Sequence, residues 1–252
     1  MKILYFTASG NSLAVAKTLG GERISIPQAV KENQFTFEGD AIGIVFPTYC
    51  CVPPKMVRDF VVKANIKADY LFAIATYGFA EGIVLEDLAA HAKNITFDYM
   101  TSIKMVDNYL PNFEIGRQID TLPKKKVDEN LKVIVDDIHS RRKYIQPPNR
   151  IARLATWYCA PLLRSQETGL AAKSFIIDGK CTQCGTCARV CPNGNIKVTD
   201  KVAFSENCAS CFACLHNCPQ NAIHLPNERS EKRWRHPEVS LKEIIDSNDQ
   251  SR

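Results

Sequence analysis

The sequence predicts an α/β protein in two parts: a doubly wound parallel sheet, followed by a small second domain of mixed α and β structure. Two observations support this prediction. Short apolar runs alternate with helical stretches from the N-terminus to about residue 141, which is typical of a parallel sheet covered by helices on both faces. Beyond it, eight of the eleven cysteines fall between residues 181 and 218, which predicts a separate metal-binding unit.

The strands and helices of the first part follow one another in a regular order. A buried strand is predicted over residues 2–6, and the helical run after it ends at Gly20 and Gly21, because glycine favours the end of a helix. The other predicted elements, in chain order, are strands at 41–46, 70–75 and within 94–104, and helices at 54–63, 83–92 and 125–141. We therefore expect parallel strands with helices as their crossover connections.

A short loop of small and hydroxyl-bearing residues joins the first strand to the first helix. Its residues are Thr7, Ala8, Ser9, Gly10, Asn11 and Ser12. The N–H groups at the start of a helix are available to an anion, and the helix dipole favours negative charge there. The sequence therefore predicts an anion-binding loop at this strand end.

Two further strand ends carry loops with aromatic side chains. One loop contains Pro47, Thr48 and Tyr49, and the other contains Thr76, Tyr77, Gly78 and Phe79. The carboxyl ends of parallel strands lie at one edge of the sheet, where ligands of such folds bind. We expect these loops to share one cleft with the anion-binding loop. For each aromatic residue, the alternative of simply covering the sheet edge remains open.

The loop at residues 7–12 resembles the phosphate loop of flavodoxins, which has the pattern Thr/Ser-x-Thr-Gly-Asn-Thr and also follows the first strand. The resemblance implies a flavodoxin-like, doubly wound parallel sheet of five strands that binds FMN. The groups implied to bind the phosphate are the side chains of Thr7, Ser9, Asn11 and Ser12 and the N–H groups of Ala8 and Gly10. The residues implied to flank the isoalloxazine ring are Tyr49, Tyr77 and Phe79, with Gly78 allowing close backbone approach.

One loop departs from the flavodoxin pattern. Flavodoxins often have a glycine in the second flavin loop, whereas Cys50 and Cys51 occupy that stretch here. Residues other than glycine adopt a positive φ only at a cost. We therefore expect this backbone not to flip, and the flavin to pass electrons mostly in pairs. The two cysteines are expected to be small buried loop residues, with redox or nucleophilic thiols as the alternative.

The second part of the chain contains two cysteine runs with the same spacing. They are Cys181-x-x-Cys184-x-x-Cys187-x-x-x-Cys191-Pro192 and Cys208-x-x-Cys211-x-x-Cys214-x-x-x-Cys218-Pro219. A tight turn can aim three thiolates of a run inward, and the proline after the fourth cysteine turns the chain away. Zinc sites usually use paired cysteines, and disulfide scaffolds are typical of secreted proteins. An iron–sulfur site is therefore favoured over both alternatives.

The two runs resemble those of bacterial ferredoxins that bind two 4Fe-4S clusters, and the resemblance spans residues 172–226. In that pattern the fourth cysteine of each run binds the cluster of the other run. The implied ligand sets are Cys181, Cys184, Cys187 and Cys218 for one cluster, and Cys208, Cys211, Cys214 and Cys191 for the other. The resemblance also implies a small α+β ferredoxin-like domain.

The chain as a whole resembles the flavodoxin–ferredoxin fusion proteins of anaerobic bacteria. The implied organisation is a flavodoxin-like FMN-binding domain at 1–145, a helical connector at 146–171, a ferredoxin domain at 172–226 and a polar C-terminal tail at 227–252. In the tail we expect a short helix at 240–245 and a frayed end. The segment 105–109 also resembles one in that family, without an assigned chemistry. His216, inside the second cysteine run, is expected to face solvent.

Charge and hydropathy exclude some classes of function. The formal net charge is +5, but an oxidised 4Fe-4S cluster with four thiolates carries about −2, so two clusters bring the total to about +1. The basic balance is therefore no indication of nucleic-acid binding. No apolar run approaches the roughly 18 residues that a membrane-spanning helix needs, and the N-terminus is not typical of an export signal. We expect a protein of the reducing cytoplasm.

The combined resemblance implies electron transfer between two 4Fe-4S clusters and FMN. Clusters move single electrons and a flavin holds two, so the protein would convert between one- and two-electron donors and acceptors. Neither a G-x-G-x-x-G motif nor a P-loop is present, so redox partner proteins are expected to supply the electrons. No catalytic acid–base set is evident. Two alternatives remain: a flavin-dependent reductase of a small substrate fed by the clusters, and a partner-docking or sensory protein that has lost FMN.

Overall fold

A six-stranded parallel sheet forms the centre of the N-terminal part, in a computed structural model that describes residues 1–147, 154, 156–157 and 169–251. The strands are β1 (Lys2–Tyr5), β2 (Glu22–Ser25), β3 (Thr36–Pro47), β4 (Asn65–Tyr77), β5 (Tyr99–Lys104) and β6 (Tyr144–Ile145). Their order in the sheet is β2-β1-β3-β4-β5-β6, and all neighbours are parallel. The chain order reverses between β1 and β3, and ligands of such sheets bind in the crevice at this point.

The sheet has six strands, whereas the flavodoxin resemblance implied five and the sequence itself placed four. The additional strand, β6, is defined by its pairing with β5: the N–H groups of Tyr144 and Gln146 donate to the carbonyl groups of Asp98 and Met100, each at 2.9 Å. Two residues are too few to show an alternating pattern, so the sequence alone did not reveal this strand. The strand β2 was also missed, because half of its residues are exposed.

Helices cover both faces of this sheet. They are α1 (Asn11–Leu19), α2 (Ile26–Lys31), α3 (Lys55–Lys63), α4 (Val84–His91), α5 (Ile115–Asp120) and α6 (Val127–His139). The helices α1 and α6 pack on one face and α2, α3 and α4 on the other, so the prediction of helices on both faces is confirmed. The bounds of α3, α4 and α6 lie within two residues of those predicted. No helix within the described residues has the length and apolar composition to cross a bilayer.

The cysteine-rich part is a small α+β unit built from two similar halves. Strand β7 (Ile176–Ile177) pairs antiparallel with β10 (Ile223–His224), and β8 (Ile196–Val198) pairs antiparallel with β9 (Val202–Phe204). The short helices α7 (Thr186–Arg189) and α8 (Ala213–His216) carry the third cysteine of each run. The helical connector predicted at 146–171 lies mostly outside the described residues.

One hydrophobic core joins the two parts of the chain. Leu13 and Val15 of α1 belong to the same buried set as Val190, Leu215 and Ile223 of the cysteine-rich unit. Apolar surface from both parts is therefore removed from water together, which stabilises their contact. The cysteine-rich unit packs on the α1 side of the sheet.

The segment after residue 226 packs against the N-terminal part, contrary to the expectation of a frayed end. Its helix α9 (Leu241–Asn248) begins with a capping box between Ser240 and Glu243, which stabilises a helix start. At its other end Asn248 is fully buried, and Trp234 upstream is 5% exposed. The polar composition was misleading because these polar groups bind to distant parts of the chain.

Candidate cofactor sites

A cavity opens at the carboxyl ends of β1, β3, β4 and β5. It is lined by twelve of the thirteen residues predicted to bind a flavin, namely Thr7, Ala8, Ser9, Asn11, Ser12, Pro47, Thr48, Tyr49, Thr76, Tyr77, Gly78 and Phe79. The thirteenth, Gly10, does not line the cavity: a Cβ there would meet the Cβ atoms of His236 and Val239, each 3.0 Å away. The three predicted loops therefore share one cleft.

Hydrogen bonds fix the path of the loop at residues 7–12. The N–H of Gly10 donates to Oγ1 of Thr7 at 3.2 Å, and the hydroxyl of Ser12 lies 2.9 Å from that of Thr76. Gly10 has a φ of 100°, a left-handed conformation in which a Cβ is unfavourable. The first N–H groups of α1 have no partner within the helix, so they are available to an anion, which the helix dipole also favours.

Three buried hydroxyl groups of the cavity wall have no hydrogen-bond partner among the described residues: Oγ1 of Thr48, the phenol of Tyr49 and Oγ of Ser210. An unpaired buried hydroxyl costs free energy, so these groups fit a ligand that carries polar atoms. Burial raises the pKa of Tyr49 well above its ordinary value, which keeps the phenol protonated and able to donate. The ring of Tyr49 meets that of Phe6 edge-on, with centroids 6.2 Å apart.

The turn after Tyr49 has a strained backbone. Tyr49 and Val52 exchange two backbone hydrogen bonds, of 2.9 and 3.1 Å, around Cys50 and Cys51. Both cysteines have a positive φ, 46° and 71°, as in the type I′ turns that favour Asn-Gly. The premise that residues other than glycine avoid positive φ in this loop is therefore wrong. Cys51 is buried as expected, while Cys50 is half-buried in the cavity wall.

Gly78 was predicted to allow close backbone approach to a flavin, and the close neighbour that the structure shows there is Asp107. A Cβ at Gly78 would lie 2.3 Å from the Cβ of Asp107, so only glycine fits there. The carboxylate of Asp107 accepts from the N–H of Tyr109 at 3.0 Å, and burial raises its pKa. Asp107 also lines the cavity, so it places a carboxyl group with a raised pKa in the wall.

The rest of the cavity wall comes from residues that the sequence did not predict to bind a flavin. They are Cys50, Cys51, Ala80, Val106, Asp107, Asn108, Tyr109, Asn112 and Phe113 of the N-terminal part and Ser210, Cys211 and Phe212 of the cysteine-rich unit. In the first group, the resemblance noted for residues 105–109 was an indication for four residues, and Cys50 and Cys51 stood out as adjacent cysteines. Nothing local placed the second group at this cavity, because its position there depends on how the two parts pack.

The eight predicted ligand cysteines form two groups, each around its own small cavity. One cavity is lined by Cys181, Cys184, Cys187 and Cys218, and the other by Cys191, Cys208, Cys211 and Cys214. Each group thus combines three cysteines of one run with the fourth of the other. No three His, Cys, Asp or Glu side chains of the described ranges are close enough to bind one metal ion together. Four cysteines around one small cavity fit a cluster with four iron corners.

The two halves use the same backbone conformation to direct their cysteines. Gln183 and Ser210, two residues after the first cysteine of each run, have φ values of 56° and 51°. Gly185 and Phe212, four residues after it, have φ values of 74° and 55°. A repeated pair of left-handed residues around the second cysteine makes the tight turn that the spacing predicts.

The fourth cysteine of each run also occupies an equivalent position. The Sγ atoms of Cys191 and Cys218 accept from the N–H groups of Asn195 and Ala222, each at 3.3 Å. Such bonds stabilise sulfur ligands and set the potential of a cluster. Burial raises the pKa of the Cys214 thiol well above its ordinary value, so this sulfur keeps its proton until a metal centre displaces that proton.

His216 is buried, so the expectation that it faces solvent is wrong. It is 4% exposed, its Nδ1 accepts from the N–H of Trp234 at 3.1 Å, and its Nε2–H donates to the carbonyl of Asn108 at 2.8 Å. These two bonds define a neutral ring protonated at Nε2. Burial lowers its pKa to about 4. His216 therefore connects the second cysteine run to the loop after β5.

The two cysteine groups and the two-half α+β unit that carries them define an iron–sulfur protein of the ferredoxin class. Residues 173–229 match the 4Fe-4S dicluster domain family. Through this part the chain belongs to that family, and the match supports 4Fe-4S binding.

The chain is similar to a protein of Methanosarcina acetivorans and to one of Methanothermobacter marburgensis. It is 41% identical over 66 residues to a subunit of the ion-translocating oxidoreductase complex of Methanosarcina acetivorans, a match that covers 25% of each protein. It is 32% identical over 68 residues to the PorD component of pyruvate synthase from Methanothermobacter marburgensis, which covers 26% of this chain and 83% of PorD. The chain thus spans a quarter of the first relative and most of the second.

Proposed function

We propose that this protein transfers electrons between two 4Fe-4S clusters and FMN, and so connects partners that exchange single electrons with partners that exchange pairs. One observation carries the proposal. Cys211 and Phe212 of the cysteine-rich unit line the same cavity as the loop at residues 7–12. A cluster ligand and an anion-binding loop therefore border one space, so the two candidate cofactor sites adjoin.

The cluster half of the proposal rests on the cysteine groups and on the relatives. The proposed ligands are Cys181, Cys184, Cys187 and Cys218 for one cluster and Cys208, Cys211, Cys214 and Cys191 for the other. The relatives are named as components of an oxidoreductase complex and of pyruvate synthase. A domain shared with such components suits one-electron transfer to and from partner proteins.

The flavin half rests on the fold and the cavity. The strand order β2-β1-β3-β4-β5 is that of flavodoxin, in which FMN binds at the switch between β1 and β3. The loop at 7–12 would bind the phosphate, and Tyr49 and Tyr77 would border the ring. The unpartnered hydroxyls of Thr48 and Tyr49 would serve polar atoms of the ligand. When bound, FMN supplies a centre that holds two electrons.

Several side chains in and near the cavity wall suit electron transfer through this site. Tyr109 and Phe212 stack in that wall, which packs the two parts against each other at this site. The carboxyl of Asp107, with its raised pKa, can hold a proton beside the site when electrons arrive in pairs. On the other side of the cysteine-rich unit, Cys184 is exposed, so a redox partner can approach the first cysteine group directly.

Anaerobic purification with quantification of iron, sulfide and flavin tests the proposal. We expect about eight iron and about eight sulfide atoms per chain, since each of two clusters has four of each, together with one FMN.

Cys191→Ser and Cys218→Ser form a matched pair, because each removes a ligand from a different group. Both should lose about half of the iron, and only Cys191→Ser should remove the cluster that borders the cavity and abolish rapid flavin reduction. Protein with full iron and no flavin contradicts the flavin half and favours the docking or sensory alternative.

A flavin-dependent reductase of a small substrate is the second candidate. Phe79, in the cavity wall, is 71% exposed, so this side of the cavity is accessible within the described part of the chain. A small acceptor could reach the site there. Saturable, multiple-turnover oxidation of the reduced protein by quinones or nitroaromatic compounds would support this candidate, whereas oxidation only by redox proteins supports the carrier.

A further inference from the structure

We propose that the C-terminal strap, residues 230–251, is a positioning element of the FMN phosphate site. The inference rests on the proposed function and goes beyond it, because it assigns a role to a segment more than 200 residues away from the loop at 7–12 in the chain. The strap lies directly against that loop. Its contacts hold the loop in the shape that presents N–H groups to an anion.

Three consecutive carbonyl groups of the loop accept hydrogen bonds from outside the N-terminal part. The donors for residues 7, 8 and 9 are, in that order, Nδ2 of Asn248 at 3.0 Å, Nδ2 of Asn217 at 3.1 Å and the backbone N–H of His236 at 2.8 Å. Two of the three donors belong to the strap. The third, Asn217, belongs to the second cysteine run.

The direction of these carbonyl groups determines where the N–H groups point. In a planar trans peptide the C=O of one residue and the N–H of the next point in opposite directions. Carbonyls held by the strap and by Asn217 therefore direct the N–H groups of Ala8 and Ser9 to the opposite side. Ala8 and Ser9 both line the cavity. The strap residue Asn248 thus orients the N–H of Ala8, which is proposed to bind the phosphate, and Asn217 orients the neighbouring N–H of Ser9.

The strap also fixes the first residue of α1. The indole Nε1–H of Trp234 donates to Oδ1 of Asn11 at 2.8 Å, and the amide of Asn11 donates to the carbonyl of Val106 at 3.0 Å. Both ends of the Asn11 side chain are therefore held. Trp234 is nearly fully buried, so this bond is protected from competition with water.

The burial of Asn248 indicates a role beyond stability. Its side chain is fully buried, yet its Oδ1 has no partner within the described part of the chain. Half of a buried amide is thus left unsatisfied, which is unfavourable, whereas an apolar residue would fill the space without this cost. The Nδ2–H group of Asn248 donates to the carbonyl of Thr7, at the start of the proposed phosphate loop.

Binding of FMN and of riboflavin separates this role from general stabilisation, because riboflavin lacks the phosphate. The variants are Asn248→Ala and Trp234→Phe, made in the full-length protein with its clusters and without flavin. The control is Lys242→Ala, which removes an exposed ion pair with Asp246 inside the strap and makes no contact with the loop. We expect the Kd for FMN to rise about tenfold in the two variants and the Kd for riboflavin to stay unchanged. Quenching of flavin fluorescence measures both.

The outcomes are separable. An equal rise in Kd for both flavins, or no rise for FMN, overturns the inference and leaves the strap as a stabilising segment. Iron and sulfide content and the thermal midpoint show whether each variant is folded. Trp234→Phe retains an aromatic ring, so we expect it to fold. Its Kd values for FMN and riboflavin test the inference if Asn248→Ala does not fold. Wild-type protein that binds neither flavin contradicts the proposed function itself, and is recognised before any variant is made.

Discussion

The ring of Tyr109 stacks on the ring of Phe212, with centroids 5.5 Å apart and planes inclined by 25°. Tyr109 belongs to the loop after β5, and Phe212 follows Cys211 in the second cysteine run. Both rings line the large cavity. The contact therefore joins the two candidate cofactor sites. Its interaction free energy contributes to the association of the two parts of the chain.

Replacing the two rings should reveal a favourable coupling free energy between Tyr109 and Phe212. Aromatic pairs contribute about 0.5–1.5 kcal/mol beyond the burial of their area, so a double-mutant cycle of Tyr109→Leu and Phe212→Leu should give a coupling free energy of that size. Urea unfolding of the flavin-free protein, followed by cluster absorbance, measures it. The pair Phe79 and Phe113, with centroids 5.8 Å apart, is the control. Phe79 is largely exposed, so we expect weaker coupling there, and equal values for both pairs would contradict the prediction.

Lys17 and Glu243 connect α1 to the C-terminal strap through an ion pair of 2.8 Å. The hydrogen bond from Lys17, followed by that from the backbone of Ser240, lowers the pKa of Glu243 to about 2. A carboxyl whose pKa falls on folding stabilises the fold above its unfolded value of about 4.3, and this contribution is lost as the pH falls toward 2. At neutral pH it is fully present.

Removing that charge should loosen the strap. We expect Glu243→Gln to reduce the free energy of unfolding by less than about 1 kcal/mol at neutral pH, because the Glu243 side chain is 37% exposed and solvent screens the pair. High salt should reduce the difference from wild type. Hydrogen exchange of α9 measures the local effect. The control is Lys242→Ala, which breaks the exposed pair with Asp246 and leaves the contact with α1. Equal exchange in both variants would argue against a specific anchor.

Local patterns revealed the parts of the sites that are contiguous in the chain. The loop at 7–12 and the cysteine runs are short motifs, so their chemistry follows from residue type and spacing. His216 and Asn248 could not be found in this way, because they bond to residues 108 and 241 positions away. Polar residue type favours exposure on average, and only tertiary packing reverses that preference. The same limit applies to β6, which exists only through its pairing with β5.

The turn at Cys50 and Cys51 offers a test of backbone strain. Asparagine tolerates a left-handed conformation better than most residues, and a β-branched residue tolerates it least. Cys50 is half-buried, so both side chains can be accommodated. We expect Cys50→Asn to raise the thermal midpoint by about 2–4 °C, which corresponds to about 1 kcal/mol, and Cys50→Val to lower it by a similar amount. Differential scanning calorimetry of the protein with intact clusters measures both, and identical midpoints would show that the turn is unstrained.

A chain of hydrogen bonds runs from the second cysteine run to the loop at residues 7–12. His216 donates to the carbonyl of Asn108, whose side-chain amide donates to the hydroxyl of Ser9. Trp234 donates its N–H to the other side of the His216 ring. Because these bonds pass from a residue between two proposed cluster ligands to a residue of the loop, we expect cluster binding in the cysteine run to influence ligand binding at the loop.

Replacing His216 should therefore weaken FMN binding without removing either cluster ligand. His216→Phe fills the same space but leaves the N–H of Trp234 and the carbonyl of Asn108 unpaired, at a cost of about 1–3 kcal/mol for each buried group. Relaxation of Asn108 then frees Ser9, so the Kd for FMN should rise while iron and sulfide content stay at wild-type values. The matched control is His224→Gln, since His224 bonds Asp178 and Glu228 and has no contact with the loop. An unchanged Kd in His216→Phe with intact clusters would show that the two sites adjoin without being coupled, because Ser9 would then keep its orientation without His216.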